Sequence, residues 1–462
     1  MAATRRRRRV LAAGLAALTL AAGPAVGRVL AHGGSLGGDA GRTLDVPTWL
    51  FLSTGGAVVG VSFLLSSFAT DREFVARVHA YRRRVVGPNA DRLATLGQAV
   101  GIVGLLLVIG VGVLGPIEPR RNAGVLLVWG GWWAGLAMSA YLLGNAWPVI
   151  DPWRTLAGIL PTGDRDPSRL PVAPAWLSTV GLLMLFWVEI VSPLADAPRL
   201  LATVTLAYTA VALAGAVAFG EAYFTQVDPV ARVFRLYGAV APLTWEDGLR
   251  LRPPGAGLTA DLLRSRGEVG FVLALLWGTT YDGLVATPPW ARLVRTVVAA
   301  GIPPAIVYPL ALAVGYLIFY GAYLLAVRYG AQFAETRRGE AELARRFAPS
   351  LLAIAAGYHV AHYLGYFLTL APALAAALAM PWGPGPPARL VLPGWFGGLS
   401  LAFVLAGHLL AVWVAHGVAY ELFPSRMQAV RSQYALTVVM MLYTMTSLWI
   451  VSRPYAAPPF IS

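Results

Sequence analysis

AAGYHVAHYLGYFLTL, residues 355–370, places two histidines three residues apart inside a stretch otherwise apolar enough to cross a bilayer. On a helix His359 and His362 share one face. The next long apolar run, residues 394–420, carries His408 and His416, so four of the chain's six histidines lie in two consecutive hydrophobic segments. Ionisable groups inside a membrane are rare and usually face a bundle interior or a cavity, which makes each of them a functional candidate.

The rest of the chain is built in the same style. Hydrophobic residues make up 57% of it, charged residues 13%, and the mean hydropathy is +0.65. Repeated apolar runs of about 20 residues predict an all-α fold, a polytopic transmembrane helix bundle whose first partner is the lipid bilayer. A formal charge of +14 would suggest nucleic acid in a soluble protein. Here the cations, all 36 of them arginine, fall almost wholly in loops between apolar runs, so they report topology and not nucleic-acid binding. The absence of cysteine excludes disulfides, thiolate metal sites and iron–sulfur clusters.

The N-terminus reads as a signal peptide. Arg5 to Arg9 form its charged region, residues 10–26 its apolar core broken at Pro24, and Val29-Leu30-Ala31 its cleavage site. Cleavage divides the chain into 1–31, removed, and a single membrane-embedded domain, 32–462, that begins with His32. About ten spans follow, at 47–69, 93–115, 123–144, 175–193, 199–222, 268–286, 301–327, 349–370, 394–420 and 433–451. With the mature N-terminus outside, 22 arginines fall in cytoplasmic loops and eight in extracytoplasmic ones. The positive-inside rule thus predicts a multi-pass protein of the cytoplasmic membrane with both mature ends extracytoplasmic.

No soluble domain fits between the spans. The longest loop, 225–267, has room for interfacial helices but not for a core of its own, and 371–393, with PWGPGPP, reads as a connector. No internal repeat is evident. Three Gly-x-x-x-Gly pairs, Gly56/Gly60, Gly97/Gly101 and Gly131/Gly135, predict close helix crossings. The segment from Asn145 to Arg154, NAWPVIDPWR, reads as a structural re-entry: two prolines force a sharp exit and two tryptophans anchor at the interface. A substrate gate is the alternative.

At about 1.5 Å rise per residue, His359, His362 and His408 all fall near the bilayer midplane, while His416 lies about 12 Å nearer the cytoplasm. Helices joined by a short connector are normally antiparallel neighbours, so the first three imidazoles are expected to converge as ligands for copper, zinc or iron, with His416 peripheral. The alternative is that they hydrogen-bond neighbouring helices, with Tyr358, Tyr363 and Tyr366 nearby. Asp282 in GTTYDG and Glu189 in FWVEIV are the carboxylates placed to complete a catalytic site, or else to face the outer headgroups. His32, once N-terminal, offers an amine and an imidazole that together suit Cu(II).

Several stretches carry a family resemblance: AHGG at 31–34, PTWLF at 47–51, DPWRTL at 151–156, TTYDG at 279–283, YHVAHY at 358–363, and the long run from GHLLAVWVAHG at 407–417 through Ser452. In these the chain resembles the bacterial multi-pass membrane proteins known as fenitrothion hydrolases. The resemblance covers most of the chain and implies hydrolysis of an organophosphorus ester. The chain departs from the family pattern at Gly417, where many relatives carry Asp. Three readings follow. A histidine-bound metal activates water against an apolar triester that enters from lipid; His359 or His362 with His408 ligates a b-type haem for electron transfer; or His32 and the helical histidines handle copper.

A reporter fused at the C-terminus is expected to be active on the extracytoplasmic side, and one fused after Arg338 on the cytoplasmic side. The reverse result at both fusions would overturn the topology read from the arginines.

Overall fold

The structure is a computed structural model and describes residues 48–85, 90–170, 172–245, 248–383, 385, 389–393, 395–454 and 456–460. The expected signal peptide and His32 lie outside the described residues. The protein is a multi-pass membrane helix bundle. Its principal helices are α1 (Thr48–Ala69), α2 (Arg72–Ala80), α3 (Ala90–Leu114), α4 (Ala123–Leu142), α5 (Pro174–Val191), α6 (Pro198–Phe219), α7 (Pro229–Val240), α8 (Arg266–Val285), α9 (Pro288–Ala299), α10 (Pro304–Phe333), α11 (Glu340–Phe347), α12 (Leu351–Ala379), α13 (Phe396–Leu422) and α14 (Tyr434–Val451).

Among the described residues, eight helices are individually long and apolar enough to cross a membrane. Two bent pairs raise the number to ten: α1 with α2, turned by 107°, and α8 with α9, turned by 81°. Both turns follow from capping chemistry. Asp71 accepts the amide of Phe74 at the start of α2, and Thr287 accepts that of Trp290 at the start of α9, whose first two residues are prolines. Each cap satisfies an orphan N–H and restarts the helix in a new direction.

Two spans run further than the sequence suggests. α12 continues past Leu370 to Ala379 with Pro372 inside it, and α10 reaches Phe333 with Pro309 inside it. A proline in lipid ends a helix less reliably than in water, because an unwound segment would expose more unpaired backbone than the one hydrogen bond that the proline removes. The expected interfacial structure of the 225–267 loop is α7, which is largely buried, followed by two strands. These strands, β2 (Leu243–Thr244) and β3 (Arg250–Leu251), join β1 (Arg83–Arg84) in a small antiparallel sheet of order β1-β3-β2.

α8 is the inner helix of the bundle, buried on nearly every side. It is fastened to α10 by Trp277 Nε1 donating to the Leu312 carbonyl and by the Tyr281 hydroxyl donating to the Tyr308 carbonyl, each at 2.8 Å. Glycines set its distance from the other neighbours: a Cβ at Gly278 would lie 2.1 Å from the Phe186 ring of α5, and one at Gly283 would lie 2.3 Å from the Tyr358 hydroxyl of α12. The expected Gly-x-x-x-Gly crossings are present. Gly97 and Gly101 receive the turn at Val149 and Ile150, Gly56 and Gly60 face Met445 and Met441 of α14, and Gly135 faces Phe367 of α12.

The two histidine-bearing helices meet backbone to backbone. A Cβ at Gly357 would stand 2.7 Å from the Gly407 Cα and from the Phe403 carbonyl oxygen, and one at Gly407 would stand 2.6 Å from the Ala353 carbonyl oxygen. Neither obstacle is a side chain that could turn away. Gly407→Ala is therefore expected to destabilise the protein by about 1–3 kcal/mol, the usual range for overpacking, read as a lower unfolding midpoint in detergent. Gly321→Ala, where a Cβ meets nothing within 4 Å, is the control. Equal midpoints for the two variants would refute the contact.

Candidate functional site

The bundle core holds an acid–base cluster assembled from four helices. Asp282 on α8 and His362 on α12 are 3% and 5% exposed, with Asp282 Oδ2 3.6 Å from His362 Nε2. This is ion-pair range and just beyond a direct hydrogen bond. The Tyr363 hydroxyl donates to the same Oδ2 at 3.4 Å. Gly283, beside the aspartate, lets Tyr358 approach, and the Tyr358 and His362 rings lie nearly parallel one helical turn apart. Glu189 on α5 lies near Asp282, Tyr363 and Tyr366. Its Oε1 is buried and without a hydrogen-bond partner.

His359 continues the cluster toward α4. It is fully buried, its Nδ1 lies 2.9 Å from the Tyr141 hydroxyl, and Tyr363 stacks on its ring at 4.5 Å. Trp133, Tyr141 and Tyr237 complete a cage of aromatic rings around it at 5.3–5.8 Å. His359 Nε2 has no hydrogen-bond partner. In order through the bundle the groups are Glu189 and Asp282, then His362 and Tyr363, then His359 and Tyr141.

The other two membrane histidines stand apart. His408 Nδ1 lies 2.8 Å from the Val404 carbonyl of its own helix, while its Nε2 has no partner. His416 lies 3.3 Å from Thr70 Oγ1 and 3.2 Å from Gln433 Nε2, and packs on Tyr420. The expected convergence of His359, His362 and His408 is thus not what the structure presents. Gly357 marks the face of α12 that touches α13. At about 100° of turn per residue, His359 and His362 stand roughly 200° and 140° around from it, aimed away from α13 and toward α4 and α8.

This arrangement also bears on the expected cofactors. Among the described residues no group of three or more His, Asp or Glu side chains is placed to hold a metal ion.

No protein-family model matches the chain, and no curated protein matches it. What the site can do is read from its own chemistry.

Sequence reasoning missed the contributions of α4. Residues Leu127–Leu136 form a π-helical stretch, a rare geometry that recurs at functional sites. It buries Trp129 and Trp133, and these two with Trp132 line an adjoining cavity. The density of WGGWW at 129–133 was the visible signal. His79, read as part of a cytoplasmic loop, was also missed: it is buried on α2, against Trp413, with its ring in the space a Cβ at Gly417 would need, 2.1 Å from Cε1.

The NAWPVIDPWR segment folds into two short helices, Trp147–Ile150 and Pro152–Ala157. Asp151 caps the second by accepting the amides of Trp153 and Arg154 at 3.0 and 3.2 Å. Burial pushes its carboxyl up to about 7; the nearby Asp228 adds to the rise, while the two amides and the Arg154 charge oppose it. A raised carboxyl favours the folded state when protonated. Its contribution is full below the ordinary value of about 4 and is lost as pH rises through about 7. Asp151→Asn keeps the cap and removes the titration, so its unfolding midpoint should fall less than the parent's between pH 5 and pH 8. Parallel midpoints across that range would refute this origin.

Proposed function

We propose that the protein moves protons through the membrane by the acid–base cluster of Glu189, Asp282, His362, Tyr363, His359 and Tyr141. The observation that carries this reading is the Asp282–His362 pair, 3.6 Å apart inside a bundle core. A carboxylate and an imidazole in hydrocarbon are costly unless they serve one another or a pathway, and chains of Asp, Glu and His between helices are how membrane proteins relay protons. The pair also lies in sequence with groups that can each accept and release a proton: the Tyr363 hydroxyl on Asp282, the His359 ring stacked on Tyr363, and the Tyr141 hydroxyl at His359 Nδ1.

A second reading has support from the same pair and from the resemblance to fenitrothion hydrolases. An aspartate beside a histidine is the arrangement that orients a general base. His362 would take a proton from water as its oxygen attacks the phosphorus of an apolar triester, the bond to the aryl oxygen breaks, and the proton passes to the departing aryl oxide. Metal or haem chemistry at His359, His362 and His408, and copper capture at His32, belong to the same family of proposals. Metal analysis and a Soret scan of the parent protein test them directly, with occupancy lost in each single alanine variant if all of these ligate.

Purified protein in liposomes loaded with a pH-reporting dye is expected to carry protons when a potassium diffusion potential is applied. Asp282→Asn and His362→Gln should each reduce that flux at least tenfold, and Tyr141→Phe by less. Flux no greater than in protein-free liposomes, or an unaltered rate in Asp282→Asn, would overturn the relay. Hydrolysis of a chromogenic aryl thiophosphate by the parent and not by His362→Gln would establish the second reading instead.

A further inference from the structure

Beside the acid–base cluster lies a cavity of about 510 Å³, bounded by α3, α4, α5, α6, α7 and the end of α12, with the NAWPVIDPWR turn at one end. That is the size of a small-molecule site. Its wall carries five tryptophans, Trp129, Trp132, Trp133, Trp147 and Trp153, and Glu189 is the only formally charged residue among those lining it. Glu189 is half-buried, yet its Oε1 is enclosed and has no hydrogen-bond partner. No arginine lines the cavity, in a chain where arginine is the sole basic residue apart from histidine. Val100 and Leu378 on its rim are 53% and 41% exposed on the outer surface of the bundle, which gives an apolar molecule a way in from lipid.

We propose that this cavity binds a lipophilic organic cation, an amine or an onium ion with apolar substituents. Indole faces attract cations through their quadrupole, most strongly where water is excluded. A single acid with an unused oxygen supplies the counter-charge, and the remaining wall is hydrocarbon that would accept aryl or alkyl groups. An anion would meet Glu189 and the negative faces of the rings, and a neutral molecule would leave Glu189 without a partner. The charge complementarity selects the cation. The π-helical stretch has a part in this: it sets Trp132 into the wall of the cavity while Trp133 also closes the cage around His359. The proposal uses only the shape and charge of the cavity and does not rest on proton movement.

Tetraphenylphosphonium and tetraphenylborate share shape and apolar surface and differ in the sign of their charge. Binding of each to purified protein in detergent, followed by tryptophan fluorescence and checked by equilibrium dialysis, is expected to favour the phosphonium at least tenfold. Glu189→Gln should abolish that preference. Trp132→Leu should weaken phosphonium binding about three- to tenfold while Trp132→Phe weakens it less, which separates loss of the ring face from a general defect. Elution as a single species and an unchanged helical spectrum qualify each variant. Equal binding of the two ions, or a phosphonium preference retained in Glu189→Gln, would overturn the proposal. Because no pH gradient is applied, this outcome is independent of the proton-flux result.

Discussion

The structure is organised by what it takes to hold a carboxylate and an imidazole inside an apolar bundle. Asp282 stands on a helix with almost no face toward lipid, and each neighbour of that helix supplies something the aspartate needs. α12 brings His362 and Tyr363, α5 brings Glu189, and α10 anchors α8 through Trp277 and Tyr281 so that the register of the aspartate is fixed. An ion placed loosely in this setting would be expelled toward water or neutralised. Gly278 and Gly283, on either side of Asp282, are the concession that allows α5 and α12 to come close enough.

The arginines do more than set orientation. Arg338 donates to the Leu422 carbonyl at 3.0 Å, and Arg72 to the carbonyls of Phe423 and Pro424, so the free carbonyls at the end of α13 are met by guanidinium groups from two other segments. Arg426 donates to the Ser67 carbonyl near the end of α1 at 2.6 Å, and Arg252 satisfies the carbonyls of Gly238, Ala239 and Ala241 at the end of α7. A cation at a helix C-terminus is favoured by the macrodipole as well as by the hydrogen bond. The charge excess in the loops is therefore partly a set of helix caps, and the mini-sheet of β1, β2 and β3 ties two of those loops together.

The class of the protein, the existence of its spans and the burial of His359 and His362 were legible in the sequence, because hydropathy and helical spacing are local properties. The second members of the two bent pairs, α2 and α9, read as loops for the same reason: composition measures how much apolar chain there is and not where it turns. Lateral arrangement was the part that failed to show. Depth along a helix follows from counting residues, but the direction a side chain points follows from which face meets a neighbour, and that was decided by Gly357 and Gly407, which formed none of the Gly-x-x-x-Gly pairs. With that contact known, the turn of about 100° per residue separates His408 from the other two at once. Tyr141, Tyr237 and Trp133 could not have been found by the same reasoning, since they approach His359 from more than a hundred residues away in the chain.

Gly417 shows how one missing side chain changes the chemistry available. Its empty Cβ position is filled by the His79 ring, which also packs edge-on against Trp413 at 5.5 Å, while the adjacent His416 is held by Thr70 and Gln433. An aspartate at 417 would have placed a carboxylate against His79 and made a second acid–base pair at this end of the bundle, comparable in kind to Asp282 with His362. With glycine there, His79 serves as packing for α2 against α13, and the carboxylate–imidazole pair described in the bundle core is Asp282 with His362. That pair lies on the side of α12 turned away from its contact with α13.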